Sequence, residues 1–320
     1  MSVPVTVVIP NYNHAAYLRQ RLKSVAGQLH ANLQVHVLDD CSNDESRHII
    51  QEFVKHDDRF CFNFNETNSG STFSQWNKGV SLAENDLVWI AESDDMADDT
   101  LLTRLVEVME SDASIALAYC QSQRMNSASE VTGDWKDFTD SMDATQFDTD
   151  FVMDGKEYIS RFLIHRNTIP NASAVLFRKT IFEQVGGAPA HFRTNGDWFM
   201  WLKMLCFGKV AYVAEPLNYF RYHDRSVIAR AHQNPVACSY YEQYDRTMRK
   251  EFAVFLKQKH ILLSPATCRQ NKYFISIDEG NEGLFKLKQG EYIKGWFQVL
   301  YASFCPRFKT GFIKKALRLV

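Results

Sequence analysis

The chain has 320 residues, enough for one large domain or two smaller ones. Hydrophobic residues at 45% and charged residues at 23% exclude an intrinsically disordered chain. The 36 Lys and Arg against 38 Asp and Glu leave a formal charge of -2, which predicts no nucleic-acid partner.

The first 120 residues alternate between strand and helix signals. Val5-Thr6-Val7-Val8-Ile9 is a β-branched run closed by Pro10, as in a buried parallel strand. Leu18, Leu22, Val25 and Leu29 then recur at helical spacing. Leu33 to Leu38 reads as a second strand stopped by Asp39-Asp40, and Ser42-Asn43-Asp44 offers caps for a helix carrying Ile49, Ile50, Phe53 and Val54. Phe60 to Phe64 predicts a third strand, Thr72 to Ala83 a helix, and Leu87-Val88-Trp89-Ile90-Ala91 a fourth strand. A helix through Leu101, Leu102, Leu105, Val106 and Met109 precedes a fifth strand at Ile115 to Tyr119.

Beyond this, positions 121–153 read as a polar loop of the kind that is functional or mobile. Structure resumes near Lys156, with a strand at Ala174 to Phe177, a Gly186-Gly187 turn, an aromatic helix from Trp198 to Phe207, and a strand-like segment from Val210 to Tyr222. After about 235 the chain turns helical and amphipathic, ending in Lys309, Lys314, Lys315 and Arg318 among Phe308, Phe312, Ile313 and Leu317. The seven cysteines (41, 61, 120, 206, 238, 268 and 305) lack zinc-site or disulfide-framework spacing, so reduced thiols are expected. The first residues lack the basic flank and long apolar run of a signal peptide, and there is no apolar stretch of about 18 or more residues. A cytoplasmic protein is therefore expected, soluble or lying on the membrane's inner face.

Strand-helix repetition with short turns predicts a mostly parallel sheet covered by helices on both faces, and such sheets bind ligands beyond the strands' carboxyl ends. Asn11-Tyr12-Asn13-His14, Asp39-Asp40 and Glu92-Ser93-Asp94-Asp95 all occupy that place. Three carboxylates within Glu92–Asp95 repel one another unless a cation or donors compensate them, so the run is either a Mg²⁺ or Mn²⁺ site or the acidic start of the next helix. Asp39-Asp40 would accept hydrogen bonds from a nucleotide or cap a helix. Asp197, in Asn195-Gly196-Asp197-Trp198, would sit exposed in a first helical turn as a general base or serve as an N-cap. His223, in Arg221-Tyr222-His223, suits metal or phosphate contact or a structural role. There is no GxGxxG after the first strand, no GxxxxGK[ST] and no GxSxG, which argues against a dinucleotide dehydrogenase, a P-loop enzyme and an α/β-hydrolase.

Taken in order, these pieces resemble the inverting family 2 glycosyltransferases with the GT-A fold. The resemblance rests on Val7 to Asn13, Leu38 to Asp44, Asn68-Ser69-Gly70, Asn77-Lys78-Gly79, Glu92 to Asp95, Gly196-Asp197-Trp198 and Arg221-Tyr222-His223. It covers residues 3 to about 228. It implies a nucleotide-binding sheet sandwiched by helices, with a catalytic domain over 1–228 (donor half 1–120, acceptor half 121–228) and a helical region over 229–320. Pro10, Tyr12 and Asp40 would line the uracil and ribose pocket, with Asn11, Asn68, Gly70, Asn77, Asp94 and Arg221 as further donor-binding positions. Asp94, Asp95 and His223 would hold Mn²⁺ or Mg²⁺ on the diphosphate, and Asp197 would deprotonate the acceptor hydroxyl.

Two departures stand out: Glu92 replaces the family's common first Asp, and Gly196 replaces the acid that commonly precedes the base. The resemblance implies a UDP-sugar donor and a glycan or polyprenyl-linked saccharide acceptor, as in surface-polysaccharide assembly. The C-terminal helices would rest on a membrane, pack on the catalytic domain or form a homodimer contact. The alternatives are a sugar nucleotidyltransferase and a catalytically degenerate member that binds nucleotide or glycan without turnover.

Overall fold

A computed structural model describes residues 2–192, 194–223, 235–303 and 311–318, and the chain divides into two compact units, Met1–His223 and Asp224–Val320. The first unit opens with β1 (Val5–Asn11), α1 (Ala15–Ala26), β2 (Leu33–Asp39), α2 (Ser46–Val54), β3 (Phe60–Phe64), α3 (Thr72–Leu82) and β4 (Leu87–Ile90). It continues through β5 (Met96–Ala97), α4 (Leu101–Ser111), β6 (Ile115–Met125), β7 (Val131–Asp134), α5 (Lys136–Asp140), β8 (Phe151–Met153) and α6 (Gly155–Tyr158). It closes with β9 (Val175–Arg178), α7 (Lys179–Gln184), α8 (Gly196–Met204) and β10 (Lys209–Arg221).

The strands form one sheet in the order β3-β2-β1-β4-β9-β6-β10-β5, with β7 on β6 and β8 on β10. From β3 to β4 all pairs are parallel. Then β9 enters antiparallel to both β4 and β6, because the turn at 172–174 starts it beside the carboxyl end of β4. The sheet is therefore mixed, and residues just before β9 meet those just after β4.

Side chains alternate across the sheet as the pleat requires. Val5, Val7, Ile9, Val35, Val37 and Trp89 pack against Leu18, Leu22 and Val25 of α1, Ile49 and Ile50 of α2 and Leu101, Leu102 and Leu105 of α4. On the other face α3 presses so close that a Cβ on Gly79 would lie 2.2 Å from Val8 Cγ1. Pro10 continues β1 instead of ending it: β4 pairs with β1 only as far as Val8, so no partner on that side misses its N–H.

Two further expectations change. Leu29 lies past the end of α1 and is 65% exposed, because the helix stops at Gly27. The segment 121–153 is largely structured: β6 runs on to Met125, pairs with β10 and turns back into β7. Its polar composition hid the strand, since Ser122 is buried and accepts a hydrogen bond from Asn218 Nδ2 at 3.0 Å.

The second unit contains α9 (Pro235–Gln258), α10 (Pro265–Lys288), α11 (Tyr292–Ser303) and α12 (Gly311–Ala316). Ser264 caps α10 by accepting from the Thr267 amide at 3.1 Å, with Pro265 at the helix start. Leu287, Val299, Ala302, Phe312 and Ala316 form a small apolar core. Lys314, Lys315 and Arg318 are exposed; Phe308, Lys309 and Cys305, and the stretch 224–234 across the expected boundary at 228, lie outside the described residues. Ile293, Phe297, Leu300 and Tyr301 form an exposed apolar stripe on α11. Among the described residues, no helix is long and apolar enough to cross a membrane.

Candidate functional site

Glu92-Ser93-Asp94-Asp95 follows β4, and its four residues point to different tasks. Asp95 turns inward. Its Oδ2 accepts from Asn171 Nδ2 at 2.8 Å and Ser173 Oγ at 2.7 Å, and its Oδ1 from the Arg221 amide at 2.9 Å. The buried Arg21 guanidinium, 4.0 Å away, supplies counter-charge. Burial and the neighbouring Asp94 nevertheless push the Asp95 carboxyl above its ordinary range. With both oxygens engaged by the protein, Asp95 fastens the loop to β9 and β10 and stands apart from the expected metal set.

Asp94 faces His223, whose Nε2 lies 3.1 Å from Asp94 Oδ2. Burial would raise the Asp94 carboxyl, but the His223 hydrogen bond and the two imidazoles nearby hold it below the usual carboxylate range. His14 is the second imidazole. Its ring stands edge-on to that of His223, centroids 5.7 Å apart, and its Nδ1 lies 2.8 Å from Ser93 Oγ. Ligand atoms of His14, Asp94 and His223 all fall within 4.8 Å of one another. An ionised carboxylate between two imidazoles is a donor set that suits a divalent transition-metal ion.

Glu92 reaches the other way. One carboxylate oxygen accepts from Trp76 Nε1 at 2.7 Å, its carbonyl accepts from Arg21 Nε at 2.8 Å, and its amide donates to Ser173 Oγ at 3.0 Å. Burial, then Asp94's charge, pushes its carboxyl up to about 8. Trp76 packs edge-on against Phe73 at 5.0 Å, and Phe73 fills the space beside Gly196, where a Cβ would come within 2.5 Å of its ring. The two departures from the family pattern are thus joined by a pair of buried aromatic rings.

Asp197 sits at the second position of α8, after the left-handed N-cap Asn195, so it is not the cap. It is half-buried, contrary to the expected exposed position, because Asn167 leans over it and donates from Nδ2 to its Oδ2 at 2.9 Å. Burial raises its carboxyl to about 6, against the pull of the Trp198 amide and Asn167. A carboxylate tuned this way can take a proton near neutral pH.

The remaining expected donor-binding residues divide by how much of their polar capacity the protein already uses. Tyr12 is an exposed ring on the β1–α1 turn. Pro10 is buried within β1, and Asn11 spends its amide on Asp39 Oδ2 and Ser42 Oγ at 2.8 and 3.2 Å. Asp40 is engaged by Asn65, Ser69 and Gln75, and Asn68 bridges the Asp40 carbonyl and the Gly70 amide, where Gly70 adopts a φ of 72°. Asn77 spends one donor and one acceptor of its amide on the backbone of Ala188, which ties α3 to the turn before α8.

Arg221, expected at the diphosphate, is 1% exposed. It donates from Nε to the Asp94 carbonyl at 2.6 Å, and from its terminal nitrogens to Asn126 O, Ser129 Oγ and Gln20 Oε1. It stacks over Tyr17 at 4.5 Å and thereby positions Asp94 rather than presenting charge to a ligand.

Sequence reasoning left His14, Trp76, Asn167 and Asn171 without roles. Only His14 carried a local signal, as the last residue of a polar turn at a strand's carboxyl end. The other three act through folding across long separations.

The sequence profile described as "Glycosyl transferase family 2" matches residues 6–186. The chain belongs to that family. It is a glycosyltransferase of the GT-A fold, and family membership disposes of the nucleotidyltransferase alternative. This family 2 transferase is 28% identical over 225 residues to TuaG of Bacillus subtilis, named for teichuronic acid biosynthesis, covering 70% of this chain and 81% of that one. Among solved structures it resembles S. aureus TarS 1-349 in complex with UDP, with a TM-score of 0.67 at 15% identity over 99% of this chain and 89% of that one. It also resembles the Pyrobaculum calidifontis mannosyltransferase PcManGT in complex with GDP-Man and Mn²⁺, with a TM-score of 0.57 at 14% identity over 98% and 86% of the two chains.

Proposed function

We propose that the chain is an inverting, metal-dependent transferase that moves a sugar from a UDP-sugar to a glycan or polyprenyl-linked saccharide in surface-polysaccharide biosynthesis. The observation that carries this reading is the meeting of Asp94 with His223 at 3.1 Å beyond β4, while Gly196, beside Asp197, packs on Phe73 and so through Trp76 on Glu92 of the same loop. The UDP and Mn²⁺ complexes of the structural neighbours support the donor and the ion.

Asp94 and His223 would hold a divalent cation that neutralises charge on the departing nucleoside diphosphate. Asp197 would accept the proton of the acceptor hydroxyl as its oxygen attacks the anomeric carbon. The bond to the diphosphate oxygen breaks on the opposite face, so the configuration inverts. Asn167 would hold the Asp197 carboxylate in place, and Arg221 would fix the Asp94 backbone.

The exposed stripe Ile293, Phe297, Leu300 and Tyr301, with Lys294 beside it, supports peripheral contact with a membrane carrying a lipid-linked acceptor. Pelleting with anionic lipid vesicles, lost on Phe297→Asp, tests that contact; a second copy of the chain on the stripe would instead appear as a dimer in sedimentation. The test of the activity is incubation with a panel of nucleotide sugars and Mn²⁺ or Mg²⁺. The reading requires metal-dependent release of UDP and a product of inverted anomeric configuration by NMR. A chain that binds nucleotide but never hydrolyses or transfers any donor would be a degenerate member.

A further inference from the structure

We propose that His14 is a third protein ligand of the donor-site cation, giving a set of two imidazoles and one carboxylate that selects Mn²⁺ over Mg²⁺. The inference rests on the metal-dependent mechanism proposed for the chain and adds to it both a residue and a selectivity.

The backbone around His14 is bracketed on both sides. Asn13 adopts a left-handed φ of 56°, receives the Asn43 amide on its Oδ1 at 2.9 Å and donates its own amide to Ser42 Oγ at 2.9 Å. Ala15 donates its amide to Asp44 Oδ2 at 2.9 Å. This turn, pinned to the end of β2, aims the imidazole at the β4 loop. The side chain does no capping for α1; it is the His14 carbonyl that accepts from the Tyr17 and Leu18 amides. Its one hydrogen-bond partner among the described residues is Ser93 Oγ, on Nδ1. Imidazole ligands characteristically carry such an outer hydrogen bond on the nitrogen that does not meet the metal, and Nε2 of His14 is left for the ion.

The spacing also fits. Ligands about 2.1 Å from a small divalent ion stand about 3 Å apart when adjacent and about 4.2 Å when opposite. His223 Nε2 and Asp94 Oδ2 at 3.1 Å match an adjacent pair. The other two separations in the trio lie within 4.8 Å, so a side-chain adjustment would bring His14 to the adjacent or opposite spacing. Two nitrogens among three protein ligands change the chemistry: Mg²⁺ prefers oxygen ligands and keeps its water, while imidazole favours later divalent ions. The positions left open would serve diphosphate oxygens and water.

The test is equilibrium binding of Mn²⁺ and of Mg²⁺ to the full chain without nucleotide, by calorimetry and by the Mn²⁺ electron paramagnetic resonance signal. Wild type, His14→Ala, His14→Gln and Ser93→Ala are compared, with UDP binding followed in parallel. Wild type should bind Mn²⁺ at least about tenfold more tightly than Mg²⁺. His14→Ala and His14→Gln should lose about tenfold or more for Mn²⁺ and less than about threefold for Mg²⁺, with metal-free melting temperatures unchanged. Ser93→Ala should show a smaller loss in the same direction. Mn²⁺ affinity unaltered in both His14 variants, or a loss equal for the two ions, would overturn the proposal while leaving the metal-dependent mechanism intact. If wild type takes up neither ion even with UDP bound, that mechanism fails, and this proposal with it.

Discussion

Asn167 donates from Nδ2 to Asp197 Oδ2 across 2.9 Å, from a loop 30 residues upstream of the acid it holds. The bond favours the ionised carboxylate and so opposes the burial that lifts Asp197 to about 6. If Asp197 is the base, kcat/KM should rise with pH along a limb centred near 6. Asn167→Ala removes the opposing bond, so the limb should move upward by roughly half to one pH unit. Asp197→Asn should cost about a thousandfold in kcat. A pH–rate profile of each variant with saturating donor checks this, and an unmoved limb in Asn167→Ala would sink the assignment.

The same carboxyl has a consequence for stability. Its value in the fold is raised from 3.8 to about 6, so the fold prefers the protonated form. The associated stability is fully present below about 3.8 and is lost as the pH rises through about 6. Above that, ionised Asp197 weighs on the fold by about 1–2 kcal/mol after allowing for its half-buried position. Asp197→Asn should therefore melt a few degrees higher than wild type at pH 8, and the two should converge near pH 4. Calorimetric scans at both pH values decide it; a lower melting temperature at pH 8 would contradict the burial argument.

Phe73 occupies the space that any side chain at 196 would need, with ring atoms 2.5, 2.6 and 2.9 Å from where a Cβ would sit. Restoring the family's acid through Gly196→Asp should destabilise the fold by about 2–3 kcal/mol, because a buried ring beside Trp76 cannot move freely. Shrinking the ring through Phe73→Ala should relieve part of that loss, so the double variant should lie above the sum of the singles. Urea melts of the four-member cycle measure the coupling. Strict additivity would mean that the contact does not explain the glycine.

The fold's first half was legible in the sequence because β1 and β4 are apolar runs buried on both faces and each helix shows one apolar stripe; β1 and α1 appear almost as read. β9 was read as a strand, but its antiparallel direction depends on where the chain re-enters the sheet, which no local pattern encodes. The polar tail of β6 escaped because pairing with β10, not apolar burial, makes it a strand. At the site, charged residues announce themselves by type but not by orientation. Asp94 and Asp95 are neighbours of identical chemistry, yet one meets His223 and the other is sealed by Asn171, Ser173 and Arg221. Arg221 looked like a phosphate ligand for the same reason: its partners come from α1 and from the turn between β6 and β7.

That contrast between adjacent acids is itself testable. Among the described residues, Asp94 makes its one side-chain hydrogen bond to His223, whereas Asp95 satisfies Asn171, Ser173 and the Arg221 amide and lies near buried Arg21. Removing Asp95 through Asp95→Ala strands these donors and takes away the largest counter-charge of buried Arg21, which should destabilise the fold by about 3–5 kcal/mol. Asp94→Ala relieves repulsion on Asp95 and Glu92 and breaks only the His223 bond, so its melting temperature should stay within a few degrees of wild type. Its response to Mn²⁺ should differ more: wild type should melt higher with excess ion, by mass action, while Asp94→Ala should show no shift. Metal-dependent thermal shifts on the two variants separate the roles. A stable Asp95→Ala that has lost its Mn²⁺ response, beside an Asp94→Ala that keeps it, would reverse the assignment of the two acids.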